Sequence, residues 1–122
     1  WEGDPAEAPP LLALWEDGRL TFCLVPEAEM LVMQNYAGSI AYCPARAEIA
    51  ITSPKGGAVQ VFDAAGRFTH RRADACGVAP APAGFTVTDG NGAISTLGAA
   101  GLQPATRLDV KWDNHLIALD RA

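Results

Sequence analysis

The chain has 122 residues, of which 49% are hydrophobic and 19% charged, a globular composition long enough for one core and too short for two domains. Its net charge of −5 excludes a nucleic-acid partner held by clustered cations, and its three cysteines, with no CxxC pair, exclude a zinc ribbon or thioredoxin motif. No apolar run approaches the roughly 18–20 residues needed to cross a bilayer as a helix.

Taken in order, the chain opens at Trp1 without an initiator Met, the beginning expected of a processed chain or an excised piece. Asp4, Glu7, Glu27 and Glu29 read as solvated loop charges. Leu11–Trp15 and Arg19–Val25 are short β-prone runs separated by Glu16-Asp17-Gly18, a hairpin signal. Glu27–Gln34 is the best helical candidate, although the same stretch offers Glu29–Met33 as an outer strand. Ser39–Cys43, Glu48–Thr52, Ala58–Asp63 and Arg67–Arg72 follow as four strands. Pro54-Lys55-Gly56-Gly57 and Asp63-Ala64-Ala65-Gly66 are the turns within them. The basic run His70-Arg71-Arg72 belongs to an edge strand, where charge discourages unwanted pairing. Cys76–Ala79, Gly84–Thr88, Ala93–Leu97 and Ala105–Lys111 make four more strands, with Asp89-Gly90-Asn91-Gly92 as a turn. His115–Leu119 is a last strand by itself.

Two series repeat. Gly18, Gly57 and Gly92 recur at 39 and 35 residues, and Ile40-Ala41, Val78-Ala79 and Ile117-Ala118 at 38 and 39. A period of about 40 residues per four-stranded unit is that of a β-propeller, whereas sandwiches need no internal repeat. The sequence therefore predicts an all-β fold, part of a β-propeller with about three four-stranded antiparallel blades, in a single domain over residues 1–122. The blades span about 11–33, 39–72 and 76–111, with a lone inner strand at 115–119. The first blade lacks an inner strand and the last strand lacks a blade. Because an unclosed ring exposes apolar faces, the remainder of a larger propeller or self-association is expected, with His115–Leu119 of one copy completing the first blade of another.

In that register the loops before the inner strands superpose. Tyr36, Asp74 and Asp113 share one position; Gly38, Cys76 and His115 share another, two residues on. Asn35, Tyr36, Asp74, Cys76, Asp113, Asn114 and His115 are thus the candidate ligand-binding residues, gathered at the mouth of a central channel. Cys76, His115, Asp74 and Asp113 are competent metal ligands, so a metal ion is the one cofactor to consider. Each also has a structural reading: Asp and Asn make turns before strands, and Cys76 can be a small buried hydrophobe. Catalytic signatures are absent: Pro54-Lys55-Gly56-Gly57 lacks phosphate-loop spacing and precedes a strand, and there is no G-x-S-x-G elbow.

The phrases Gln34-Asn35-Tyr36-Ala37-Gly38-Ser39, Thr52-Ser53-Pro54-Lys55-Gly56-Gly57, Asp74-Ala75-Cys76-Gly77-Val78-Ala79-Pro80 and Trp112-Asp113-Asn114-His115-Leu116 resemble the C-terminal third of the bacterial domain-of-unknown-function family 1513. The resemblance spans roughly Leu11 to Leu119. It implies a longer parent of propeller type, exported or periplasmic, often found with imelysin-like iron-uptake proteins, and it carries no catalytic residues. The function expected is a propeller-type binding or scaffold protein. The alternative is a metal- or redox-dependent enzyme with its site at the channel mouth.

Overall fold

The computed structural model describes residues 3–119. Its elements are β1 (Ala13–Glu16), β2 (Arg19–Phe22), α1 (Glu27–Val32), β3 (Ser39–Cys43), β4 (Glu48–Ser53), β5 (Ala58–Asp63), β6 (Phe68–Ala73), β7 (Gly77–Ala81), β8 (Gly84–Thr88), β9 (Ala93–Gly98) and β10 (Gly101–Arg107). They form a two-stranded sheet, β1-β2, and two four-stranded sheets, β3-β4-β5-β6 and β7-β8-β9-β10. All pairing is antiparallel between sequential strands. The all-β expectation and both four-stranded units are thus present.

The middle sheet is covered on both faces, which explains why β4 and β5 are buried almost end to end rather than at alternate residues. On one face Ala41, Cys43, Ala50, Val59 and Val61 meet Val78, Phe85, Val87 and Leu97 of the third sheet. On the other, Ile49, Ile51, Ala58 and Phe62 meet Leu12, Cys23 and Met33. Burying each large side chain is worth about 1.5–3 kcal/mol. Phe62 also meets Phe68 edge to face, with ring centroids 5.8 Å apart.

The first strands of the two four-stranded sheets, β3 and β7, lie side by side. The Ser39 hydroxyl donates to the Val78 carbonyl (3.1 Å) and accepts from the Val78 amide (3.3 Å). The Thr52 hydroxyl donates to the Cys76 carbonyl at 2.7 Å. Ser39 pairs with Thr52 across β3-β4, and Gly77 pairs with Thr88 across β7-β8. Ile40-Ala41 and Val78-Ala79 therefore occupy the same place in successive sheets, as their spacing indicated.

Five expectations change. The helical reading of Glu27–Gln34 holds and the alternative strand Glu29–Met33 does not form: α1 occupies Glu27–Val32, beginning after Pro26 with Glu27 and Glu29 in its first turn, where carboxylates favour the helix N-terminus. Neither Glu29 nor Glu7 is a free loop charge, since Glu29 accepts from Arg71 at 2.7 Å and Glu7 from the Asn35 amide at 3.3 Å. The last outer strand is Gly101–Arg107, not Ala105–Lys111, because a tight turn at Ala99-Ala100, with Gly101 at φ +85°, starts it early. Residues 115–119 pair with no strand among the described residues.

The fifth change concerns the β1-β2 hairpin. Leu11 shares a cavity with Gly38–Ile40, whereas Leu12–Leu14 share one with Ile40–Tyr42 and Ile49. A Cβ added at Gly66 would lie 3.1 Å from the Leu14 side chain. β1 therefore runs in the same direction as β3 and β5, and the Gly18 turn lies at the lower end with Gly66, away from Gly57 and Gly92. The hairpin is thus not a pair of middle strands equivalent to β4-β5. Its direction and its phrase Gly18-Arg19-Leu20-Thr21 match β5-β6, where Gly66-Arg67-Phe68-Thr69 makes the corresponding turn.

The basic run does lie on an edge, since β6 ends its sheet; Arg71 reaches back to Glu29 on α1. Cys23, Cys43 and Cys76 are free thiols.

Candidate functional site at the upper end

The upper end of the sheets carries the loops 35–38 and 74–76, the turns 54–57 and 89–92, and the segment 112–116. The Gly38 amide donates to the Thr52 carbonyl at 2.8 Å, and the Cys76 amide donates to the Thr88 carbonyl at 2.7 Å. Two consecutive sheets thus begin with one hydrogen bond in one place, and the equivalence of Gly38 and Cys76 holds in three dimensions.

The segment 112–116 crosses over both loops. Asn114, buried, donates its Nδ2 to the Tyr36 hydroxyl at 2.8 Å. Its backbone amide donates to Asp113 Oδ1 at 2.7 Å. The crossing needs small residues beneath it: a Cβ at Gly38 would lie 2.8 Å from Asn114 Nδ2, and one at Gly77 3.3 Å from the Asn114 carbonyl. Lys55 Nζ stands 5.6 Å from the Tyr36 ring centroid, within cation–π range. His115 is exposed and lines, with Leu11, Gly38, Ile40, Ile51 and Leu116, a cavity of about 390 Å³.

Cys76 is half-buried, and Gly90 packs close beside its sulfur. Burial pushes its thiol above the usual cysteine value, and the carboxylates of Asp89 and Asp113 add to the shift. A thiol held protonated in this way is a poor nucleophile and a poor metal ligand. Among the described residues no three His, Cys, Asp or Glu side chains come together as a metal-binding group.

The candidates therefore divide. Tyr36 and Asn114 touch; Cys76 and Asp113 share an electrostatic neighbourhood; His115 lines the adjoining cavity. Asp74 is exposed and serves the turn, holding φ +59° while its amide donates to the Gly57 carbonyl at 2.7 Å; Asp tolerates this left-handed conformation better than most residues. Asn35 turns inward, its Nδ2 donating to the Asp4 carbonyl and to Glu7, while its buried Oδ1 and the Trp112 Nε1 have no hydrogen-bond partner.

Sequence reasoning missed Ser39, Thr52 and Lys55. Lys55 stood in view within Pro54-Lys55-Gly56-Gly57, but the phosphate-loop test that it failed asks nothing about an aromatic neighbour. Ser39 and Thr52 gave no signal, because each hydroxyl is explained only by the neighbouring sheet.

No helix among the described residues is long and apolar enough to cross a membrane. No curated protein and no solved structure matches the chain. One family model does, over residues 1–119 and including every residue of the upper end: the chain belongs to the family described as protein of unknown function DUF1513.

Proposed function

We propose that this chain is a β-propeller segment that serves as a binding or scaffold module, with its upper end as the contact surface. One observation carries the reading: the hydrogen bonds Gly38 to Thr52 and Cys76 to Thr88 begin two successive four-stranded sheets identically, so the loops before β3 and β7 are delivered to the same end. Polar groups converge there beside a cavity of about 390 Å³, the arrangement expected of a site at the mouth of stacked sheets.

The test is a fragment screen read by backbone NMR shifts. Binding should perturb residues 35–38, 55, 76 and 113–116. Perturbation confined to the opposite end, where Ala81, Pro82, Phe85, Leu97 and Gly101 line a more apolar cleft of about 610 Å³, would overturn the assignment. The proposed link to iron uptake makes ferrous and ferric ions the first metals to titrate in the same assay; shifts at Cys76, Asp113 and His115 would bring the metal-dependent alternative forward.

A further inference from the structure

The lower end of the two four-stranded sheets holds the cleft of about 610 Å³, within the roughly 300–1,000 Å³ of small-molecule sites. Arg46, in the β3-β4 turn, stands on one side of it, and the β7-β8 and β9-β10 turns stand on the other. Phe85 and Leu97, both buried, line it from within. Small residues at these turns keep it open: a Cβ built at Gly101 would meet nothing within 4 Å.

Among the residues lining the cleft, Arg46 alone is charged. Its Nε and Nη2 donate to Glu48 at 2.6 and 2.8 Å. A guanidinium carries more donors than these two bonds use, so Arg46 can hold a second acceptor. Glu48 pairs with Cys43, while His70 and Arg72 pair with Val61 and Val59. All three therefore face the third sheet, as Cys43, Val59 and Val61 do. The charged groups acting on the His70 ring are Arg72, Glu48 and Arg46. Two guanidinium groups and one carboxylate thus gather on this face, a local excess of positive charge in a chain whose net charge is −5.

We propose that the cleft binds a monocarboxylate with an apolar body, the carboxylate on Arg46 and the body over Phe85 and Leu97. A guanidinium meets a carboxylate through a planar fork of parallel N–H donors, and no acidic side chain lines the cleft to repel one. Arg72 offsets the second negative charge brought near Glu48. A cationic ligand would meet its like at Arg46, and a ligand polar throughout would leave groups unpaired against the apolar lining. The inference rests on neither the propeller reading nor the upper-end site.

Octanoate titrated into the full chain and followed by backbone NMR shifts tests it, with octanol as the uncharged probe of equal length. Residues 45–46, 81–85 and 96–101 should shift and saturate. Octanoate should bind at least about tenfold more tightly than octanol, the gain expected of hydrogen bonds to a charged group. Arg46→Gln with Glu48→Gln removes the ion pair as a unit and should bring octanoate to the affinity of octanol. Thr96→Trp, at an exposed position lining the cleft, should weaken both probes. Equal binding of octanoate and octanol by the unaltered chain overturns the proposal. So does the absence of saturable shifts at these residues, or a preference for octanoate that outlasts the loss of Arg46.

Discussion

Thr52→Val probes the joint between the two four-stranded sheets. Thr52 is fully buried, and its hydroxyl is the donor to the Cys76 carbonyl at 2.7 Å. Valine keeps the branched shape but cannot donate. The lost hydrogen bond is worth about 1 kcal/mol, and a carbonyl left buried without its donor costs about 1–3 kcal/mol. A net loss of about 2 kcal/mol is expected, read as a lower urea midpoint at unchanged m-value, or as a melting point lower by roughly 6–12 °C for a chain of this size. Ser39→Ala cuts the neighbouring tie to Val78. Because both substitutions act on one contact between the same two sheets, the double variant should show a coupling of at least about 0.5 kcal/mol. A loss below about 0.5 kcal/mol for Thr52→Val would refute the reasoning, as would strict additivity with Ser39→Ala, since the sheets would then not dock through these hydroxyls.

Gly38→Ala should displace segment 112–116, since the new methyl would stand 2.8 Å from Asn114 Nδ2 and 2.9 Å from Pro54 Cδ; the Asn114 side-chain amide resonances should move, while those of β8 and β9 stay in place. His70 is pushed below its ordinary value by burial first and by the nearby Arg72 second. Its neutral form is favoured in the folded state, so stability should be full above pH 6.5 and fall as the pH drops from there toward the lower folded value; His70→Gln should flatten that slope in denaturation curves taken between pH 7 and pH 5.

Sequence reached the two four-stranded sheets because their turns are written in Gly, Pro and Asp and separate short β-prone runs of about five or six residues. It reached the equivalence of Gly38 and Cys76 because Ile40-Ala41 and Val78-Ala79 follow each at the same distance. It failed at the hairpin, where a glycine after two acidic residues fits an upper or a lower turn equally well. The Gly-Arg-apolar-Thr phrase shared by Gly18 and Gly66 would have decided the matter, and it is only four residues long. Sequence found α1 as its best helical candidate, Glu27–Gln34, but six residues are too few for a helical period to exclude the strand alternative at Glu29–Met33. At the upper end, residue types were legible and contacts were not: that Tyr36 meets Asn114 depends on how segment 112–116 crosses the sheets, a long-range event absent from local pattern.

Three polar side chains sit deep in the middle sheet, and each answers to a different neighbour. Thr52 reaches Cys76 on one side; Ser53 donates to the Met33 carbonyl and Gln60 to the Glu29 carbonyl on the other, each at 2.7 Å. Apolar contact alone would let the sheet be turned over, because Ile, Val and Ala are tolerant of what they touch. Turned over, this sheet would strand a hydroxyl on one side and a hydroxyl and an amide on the other, at about 1–3 kcal/mol for each. The sheet consequently has a front and a back. These few polar atoms give the stack its polarity, so that the chain can assemble its layers in one sequence and in no other.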